Sequence, residues 1–353
     1  MPSPAEILIA AARGERVRDD VEPHLSAAAA EGMLGLVARS AESVPRALRV
    51  QAMAMEARSA GMVTELARIT AAFDQAGVPL LAYKGAILAQ QLYGAAGARA
   101  FSDLDVIVDP AGADAGEAIL RRLGYRECQP LTASQRRTNR RFVGETLFLD
   151  DASSVLADFH WLFSHVQFPL RLSFADAWSR RQRIVVDGHP FQTLGSTDLV
   201  ILTCSHAAKH LWHRLELLAQ IGALARRDED WSAVDRLAVA SGAARQTGLS
   251  FLLADDVLGI AHPPLPRCLA AARPVFGAVR EIVAGNLFAE TRRMDAAGND
   301  HFLLADRRRD ALRSLALGAL VPTHADWQGS SLPDALQWLV RPFRLLRKRL
   351  RPL

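Results

Sequence analysis

Two aspartates, Asp103 and Asp105, stand two residues apart at the head of the apolar run Val106-Ile107-Val108. Side chains alternate along a strand, so both carboxylates point to one face while Leu104 and Val106 point into a core. Like charges held this close repel, and a cation between them relieves the repulsion. A hard divalent ion such as Mg²⁺ takes oxygen ligands and keeps positions for phosphate oxygens and water. The plain alternative is a strand end carrying two aspartates for solubility. Either way, the fold must contain a strand with one core face and one acidic face.

A third carboxylate strengthens the metal reading. Asp158 lies inside the apolar run SSVLADFHWLF (153–163), with Leu156 and His160 on its own face and Val155, Ala157 and Phe159 on the other. Burying an unpaired carboxylate is expensive, so Asp158 is expected to be paired, hydrogen-bonded or bound to metal. Lys84-Gly85 closes another apolar run, VPLLAYKG (78–85), just before a helical stretch. A helix start receives anions, glycine lets backbone approach a phosphate, and Lys84 adds charge. Arg99, shortly before the aspartates, is a second candidate phosphate ligand.

Around these residues the chain changes character twice. Residues 4 to about 77 read as helices, with apolar residues at helical spacing (Met53, Ala57, Met62, Leu66, Ile69) and breaks near Gly14, Pro23 and Ser43-Val44-Pro45. The centre is mixed. It has strands at 78–85, 104–109, 144–150 and 153–163, a helix from about Ala113 to Leu123, and a strand pair at 181–195 turning at Asp187-Gly188. From Ser196-Thr197-Asp198, a plausible N-cap, helices return: one long helix from Leu199 to Arg226, then Trp231–Gly242, Thr247–Leu258, Val275–Leu287 and another beginning in 306–315. The expected fold class is α+β, a small mixed β-sheet flanked by helical regions, divided as 1–76, 77–195 and 196–353.

The order strand, Gly, helix, Arg-x-x-Ser-Asp-x-Asp strand, then a carboxylate on a later strand resembles the DNA polymerase beta-like nucleotidyltransferase superfamily. More closely, the chain resembles the bacterial family of uncharacterised nucleotidyltransferases. The stretches that carry this are LLAYKGAILAQQLYG, RAFSDLDVIVD, the LRRLGY helix end, LADFHWLF, HAAKHLWHRLELL and THADWQ…LP…WLVRPFRLL, over roughly residues 50 to 350. The resemblance implies a metal-dependent enzyme that moves a nucleoside monophosphate from a nucleoside triphosphate, ATP by default, to a small-molecule, peptide or protein acceptor. Asp103, Asp105 and Asp158 then take the catalytic and metal-holding positions, with Mg²⁺ or Mn²⁺ as cofactor. Lys84, Gly85, Arg99 and Ser102 lie toward the nucleotide. Two departures stand out: Gly85-Ala86 replaces the usual Gly-Ser, and the stretch from Gly85 to Asp103 is long. They feed an alternative, a catalytically degenerate protein that senses nucleotide or binds a partner in a biosynthetic pathway.

His206, His210 and His213 recur at helical spacing with Lys209 and Arg214 beside them. They are read in three ways: a zinc site completed by Glu216, a helix face turned toward the nucleotide (His206, Lys209, His210, Arg214), or core packing. No G-x-S-x-G and no G-x-x-x-x-G-K-[ST] occurs. The three cysteines (Cys128, Cys204, Cys268) are far apart, and with no secretory or membrane-spanning signal a cytoplasmic location is the expectation. The net charge is +4, yet the last thirteen residues, RPFRLLRKRLRPL, hold six basic side chains, which leaves the rest at −2. A near-neutral body disfavours a long nucleic acid as acceptor. The tail, with leucines interleaved, is either a solvated end helix or a contact for a membrane surface or phosphates.

Overall fold

Five strands form one mixed sheet in the order β1-β2-β5-β4-β3: β1 (Leu80–Ala82), β2 (Asp103–Val108), β3 (Tyr125–Glu127), β4 (Glu145–Asp150) and β5 (Val155–His160). Only β2 and β5 run parallel; the other neighbours are antiparallel. The structure is a computed structural model and describes residues 2–297, 300–328 and 332–350, the last three of these in backbone only. A hairpin, β6 (Gln182–Val186) and β7 (His189–Thr193), turns at Asp187-Gly188 as its sequence predicts, with both residues at positive φ.

The alternation of β2 sorts its side chains onto two cores. Leu104, Val106 and Val108 join Ala157 and Phe159 of β5 against Met62, Val63, Leu66, Ile69 and Phe73 of the 30-residue helix Arg46–Gln75. On the other face, Ile107 joins Leu81, Tyr83 and the buried residues of the helix Ser196–Lys209. Asp103 and Asp105 share that second face with Ile107, beyond the end of its apolar packing. A third core joins the first helices of the chain (Ile7, Leu8, Met33, Leu48) to later ones (Leu218, Leu253, Val279). The front and back helical regions therefore share one apolar core.

Several elements differ from their expected form. The Arg-rich stretch 135–142, for which the sequence predicts no element, is helical: Ala133–Thr138, capped by Thr132, runs into a wide π-turn at Asn139–Val143. Here Arg136 and Arg140 bind the buried Glu117, which no local pattern reveals. The long helix expected from Leu199 to Arg226 is two helices, Ser196–Lys209 and Leu215–Ala225. Between them Leu211 and Trp212 adopt positive φ (49° and 43°), which turns Trp212 fully inward, its indole donating to Ser250 Oγ at 3.0 Å. Helix propensity yields there to burial of the largest side chain available. The helix expected to start at Val275 begins at Pro266 and carries Pro274 within it. Asp235 accepts from the backbone N–H of Cys268 at 3.0 Å, and Gly248 of the neighbouring helix lies under the Cys268 carbonyl. Capping and close helix packing outweigh the lost proline N–H. Asp198, expected as a helix cap, instead forms a bidentate pair with Arg180 at 2.7 and 2.8 Å.

Two helical glycines test how tightly the sheet is covered. A Cβ on Gly116 meets the Phe159 and Phe73 rings, whereas one on Gly277 meets open space. Gly116→Ala should destabilise by about 1–3 kcal/mol through overpacking, while Gly277→Ala should stabilise by about 0.5–1 kcal/mol through helix propensity. Denaturant unfolding of the two variants should move the midpoint in opposite directions; equal shifts would mean that Phe159 is loosely held.

Candidate active site

The parallel pairing of β2 with β5 sets Asp105 directly beside Asp158, and the antiparallel pairing of β4 with β5 sets Glu145 beside His160. All four side chains lie on one face of the sheet, over a cavity of about 440 Å³. The helix Ser196–Lys209 supplies Leu199, Leu202, Thr203 and His206 as its facing wall, and Lys84, Gly85, Arg99 and Ser102 line the opening. The three aspartates and every residue read as facing the nucleotide line this one cavity: Lys84, Gly85, Arg99, Ser102, Asp103, Asp105, Asp158, His206, Lys209, His210 and Arg214.

Lys84, two residues past β1 and capping the helix Gly85–Tyr93, holds a conformation that L residues rarely adopt, φ 56° and ψ −157°. Such strain persists only where surrounding structure fixes it. The Tyr83 backbone N–H donates to the Asp105 carbonyl at 3.1 Å, and the Lys84 ammonium then donates to Asp105 Oδ1 at 2.6 Å. Burial works against both charges of this pair. Their mutual attraction prevails, holding Lys84 well above its usual range and, with His160, Asp105 below its own. Asp103, nearer the opening, accepts from Ser102 Oγ at 3.3 Å. Burial first, then the charges of Asp105 and Asp158, push its carboxyl up to about 6.

His160 and Glu145 were not singled out as site residues by sequence. The His160 imidazole is buried, with Nδ1 3.3 Å from Glu145 Oε2 and Nε2 3.0 Å from Asp158 Oδ2 and 3.4 Å from Asp105 Oδ1. The Tyr83 ring stands edge-on to it, centroids 5.7 Å apart. Burial opposes the imidazolium, but the Asp158 charge overrides this and raises His160 well above its usual value. The signal available in sequence was the i, i+2 spacing of Asp158 and His160, which places both on one strand face. Glu145 carried no such signal, because only strand pairing brings it here.

Other expected ligands have partners of their own. Arg99 donates to Glu216 Oε1 at 2.6 Å, and Gln220 donates to the same oxygen at 3.1 Å. Ala86 packs into the apolar core under the sheet, so its methyl replaces a hydroxyl where the surroundings are hydrophobic. Of the histidines, His206 faces the cavity and is held well below its usual pKa by burial, then by Lys84 and His210. His210 meets Asp295 at 2.8 Å, and His213 lies past the helix break, bonded to the His210 carbonyl at 2.9 Å. The break is why the three do not form one helical face. Among the described residues, the group whose potential ligand atoms converge, all within 4.8 Å, is Asp105, Asp158 and His160 rather than the histidine run with Glu216.

The raised Asp103 carboxyl gives a testable pH dependence. A carboxyl whose pKa is about 6 in the fold and 3.8 ordinarily binds protons more tightly when folded. Its contribution is therefore present at low pH and is lost as pH rises through 6, by as much as about 2–3 kcal/mol. With metal chelated, Asp103→Asn should match the parent near pH 4 and exceed it in thermal stability above pH 7. A difference independent of pH would mean that Asp103 is not electrostatically strained.

A sequence model described as uncharacterised nucleotidyltransferase matches residues 8–259. The match takes in the front helices, which the expected span of about 50 to 350 omitted, and stops before the THADWQ…WLVRPFRLL ending. No curated protein matches the chain. The match spans most of the chain, including every strand and the cavity that collects the aspartates, so the chain belongs to the uncharacterised nucleotidyltransferase family.

Proposed function

We propose that the protein is a divalent-metal-dependent nucleotidyltransferase that moves a nucleoside monophosphate from a nucleoside triphosphate to a small-molecule, peptide or protein acceptor. The observation that carries this reading is the side-by-side pairing of Asp105 and Asp158 on parallel strands, facing the cavity, with Asp103 on the same face. The donor set fits a divalent ion. The ligand atoms of Asp105, Asp158 and His160 converge, and His160 Nε2 is buried without a hydrogen bond, its close approaches to the carboxylates lacking the required geometry. When bound, Mg²⁺ or Mn²⁺ supplies charge neutralisation for the phosphates and activation of the attacking hydroxyl.

On this reading Asp105 and Asp158 hold the metal, and Asp103 extends the acidic face toward the triphosphate. Lys84 moves its charge from Asp105 to a phosphate oxygen as nucleotide enters. The first turn of the helix Gly85–Tyr93 offers backbone N–H groups to the same phosphates. Neutral His206 and the cations Lys209 and Arg214 line the opposite wall, where base or acceptor is held. Asp158 receives the proton of the acceptor hydroxyl, and the remaining catalysis is positioning and electrostatics. ATP is the default donor, and the near-neutral body suits an acceptor other than a long nucleic acid. A binding-only protein is the second reading, favoured by the Lys84–Asp105 pair, which already satisfies the metal carboxylate.

The last helix suggests a further partner. Asp334–Leu350 exposes Leu336, Leu339, Phe343 and Leu346 (43, 67, 72 and 57%) along one stripe, while Trp338 packs on Phe142 from the opposite side. Basic residues crowd its C-terminal half, a pattern suited to an anionic lipid surface. Residues 351–353 of the tail lie outside the described ones. No helix among the described residues is long and apolar enough to cross a membrane, so such contact is peripheral.

Two experiments test these proposals. Label transfer and pyrophosphate release from the four α-labelled nucleoside triphosphates, with Mg²⁺ or Mn²⁺ and cell extract as acceptor source, should depend on Asp105. Asp105→Asn should cost at least about 100-fold. Undiminished transfer would refute the assignment, and nucleotide binding without pyrophosphate release would favour the second reading. Co-sedimentation should retain the protein on phosphatidylglycerol vesicles but not on phosphatidylcholine ones. Leu339→Asp with Phe343→Asp should release it, and equal retention of that variant would exclude the helix as the contact.

A further inference from the structure

A buried imidazole among carboxylates has a use that an all-oxygen metal site does not explain. His160 Nδ1 faces Glu145 Oε2 at 3.3 Å, and Glu145 is itself held from its other oxygen by His165 Nε2 at 3.0 Å. This fixes the ring from behind and leaves Nε2 pointing to where the Asp105 and Asp158 carboxylates converge. Nε2 is buried and has no hydrogen bond there. A carboxylate behind one imidazole nitrogen with the other nitrogen aimed at a group of ligands is the arrangement by which proteins orient a histidine toward a metal. The Tyr83 ring packs edge-on against the imidazole and restricts its rotation.

We propose that His160 is an inner-sphere ligand of the metal, with Glu145 as its positioning residue. The resulting mixed nitrogen and oxygen set favours a transition-series ion such as Mn²⁺ over Mg²⁺. Mg²⁺ is a hard ion that takes oxygen and retains water, whereas imidazole suits first-row transition metals. His165 behind Glu145 extends the chain of support outward, so the preference is built across strands β4 and β5 and the segment that follows β5. The inference rests on the transferase reading only in requiring a divalent ion at Asp105 and Asp158.

The test uses the full-length protein with Mn²⁺ alone as probe. Pulsed electron paramagnetic resonance should show ¹⁴N coupling from a directly bound imidazole, lost in His160→Gln and retained in His165→Gln. Calorimetric titration should give Mn²⁺ binding at least about 10-fold tighter than Mg²⁺. His160→Gln should narrow that ratio, and Glu145→Gln should weaken Mn²⁺ by about 10-fold or more. Circular dichroism and thermal melting establish that the variants fold, and Glu145→Gln serves if His160→Gln does not. Mn²⁺ binding that needs Asp105 and Asp158 but shows no ¹⁴N coupling would overturn the inference and leave the transferase reading intact. It would make His160 an ion-pair partner of Asp158. Absence of any metal binding, with or without nucleotide, would overturn both.

Discussion

Carboxylates that repel one another are held together at the junction of two parallel strands, and much of the structure is arranged to make that tolerable. Asp105 and Asp158 stand side by side with Asp103 close by, all in partial or full burial. Separated from water, such charges need nearby cations. Where no metal is bound, Lys84 and protonated His160 provide them, and each reaches the site through its own constraint: Lys84 by a strained backbone just past β1, His160 by its register opposite Glu145. The unevenness of this compensation is informative. Asp105 is held anionic, whereas Asp103 is left with a carboxyl that burial and its neighbours push up to about 6. Strain of this kind at a cavity mouth is what a site built for a further cation would carry.

The scaffold is rigid where it bears the site. Leu104, Val106, Ala157 and Phe159 anchor the two parallel strands on the long helix Arg46–Gln75, so the carboxylates project from strands whose opposite face is fully packed. The facing wall comes from the helix Ser196–Lys209, whose end is set by the inward turn of Trp212. That turn places Arg214 and Glu216 at the cavity, and Glu216 in turn holds Arg99. Under the proposed function, Arg99 therefore shapes the cavity through a buried ion pair before it meets any phosphate.

Much of this was legible beforehand. The strand bearing Asp103 and Asp105, the later strand with Asp158, the β6–β7 hairpin and the helical flanks follow from periodicity and turn residues, because those signals are local. The breaks that sequence misplaced are those where distant packing wins. Trp212 interrupts a good helix because the core accepts an indole there, and Pro274 sits inside a helix because Asp235 and Gly248 secure the turns before it. In the arginine-rich stretch, the partner that holds Arg136 and Arg140 is Glu117, brought close only by the fold.

The sequence by itself determined that this chain has a strand with an acidic face, a second strand with a lone carboxylate, and a basic ending. Alternation and composition are properties of neighbouring residues and need no partner. Only the tertiary structure decided which acids meet. The parallel register of β2 on β5 pairs Asp105 with Asp158, and the antiparallel register of β4 brings Glu145 behind His160. A shift of one residue in either register would send these side chains to the opposite face. Register is set by the apolar packing of the whole sheet, so the composition of the site is a consequence of the core beneath it.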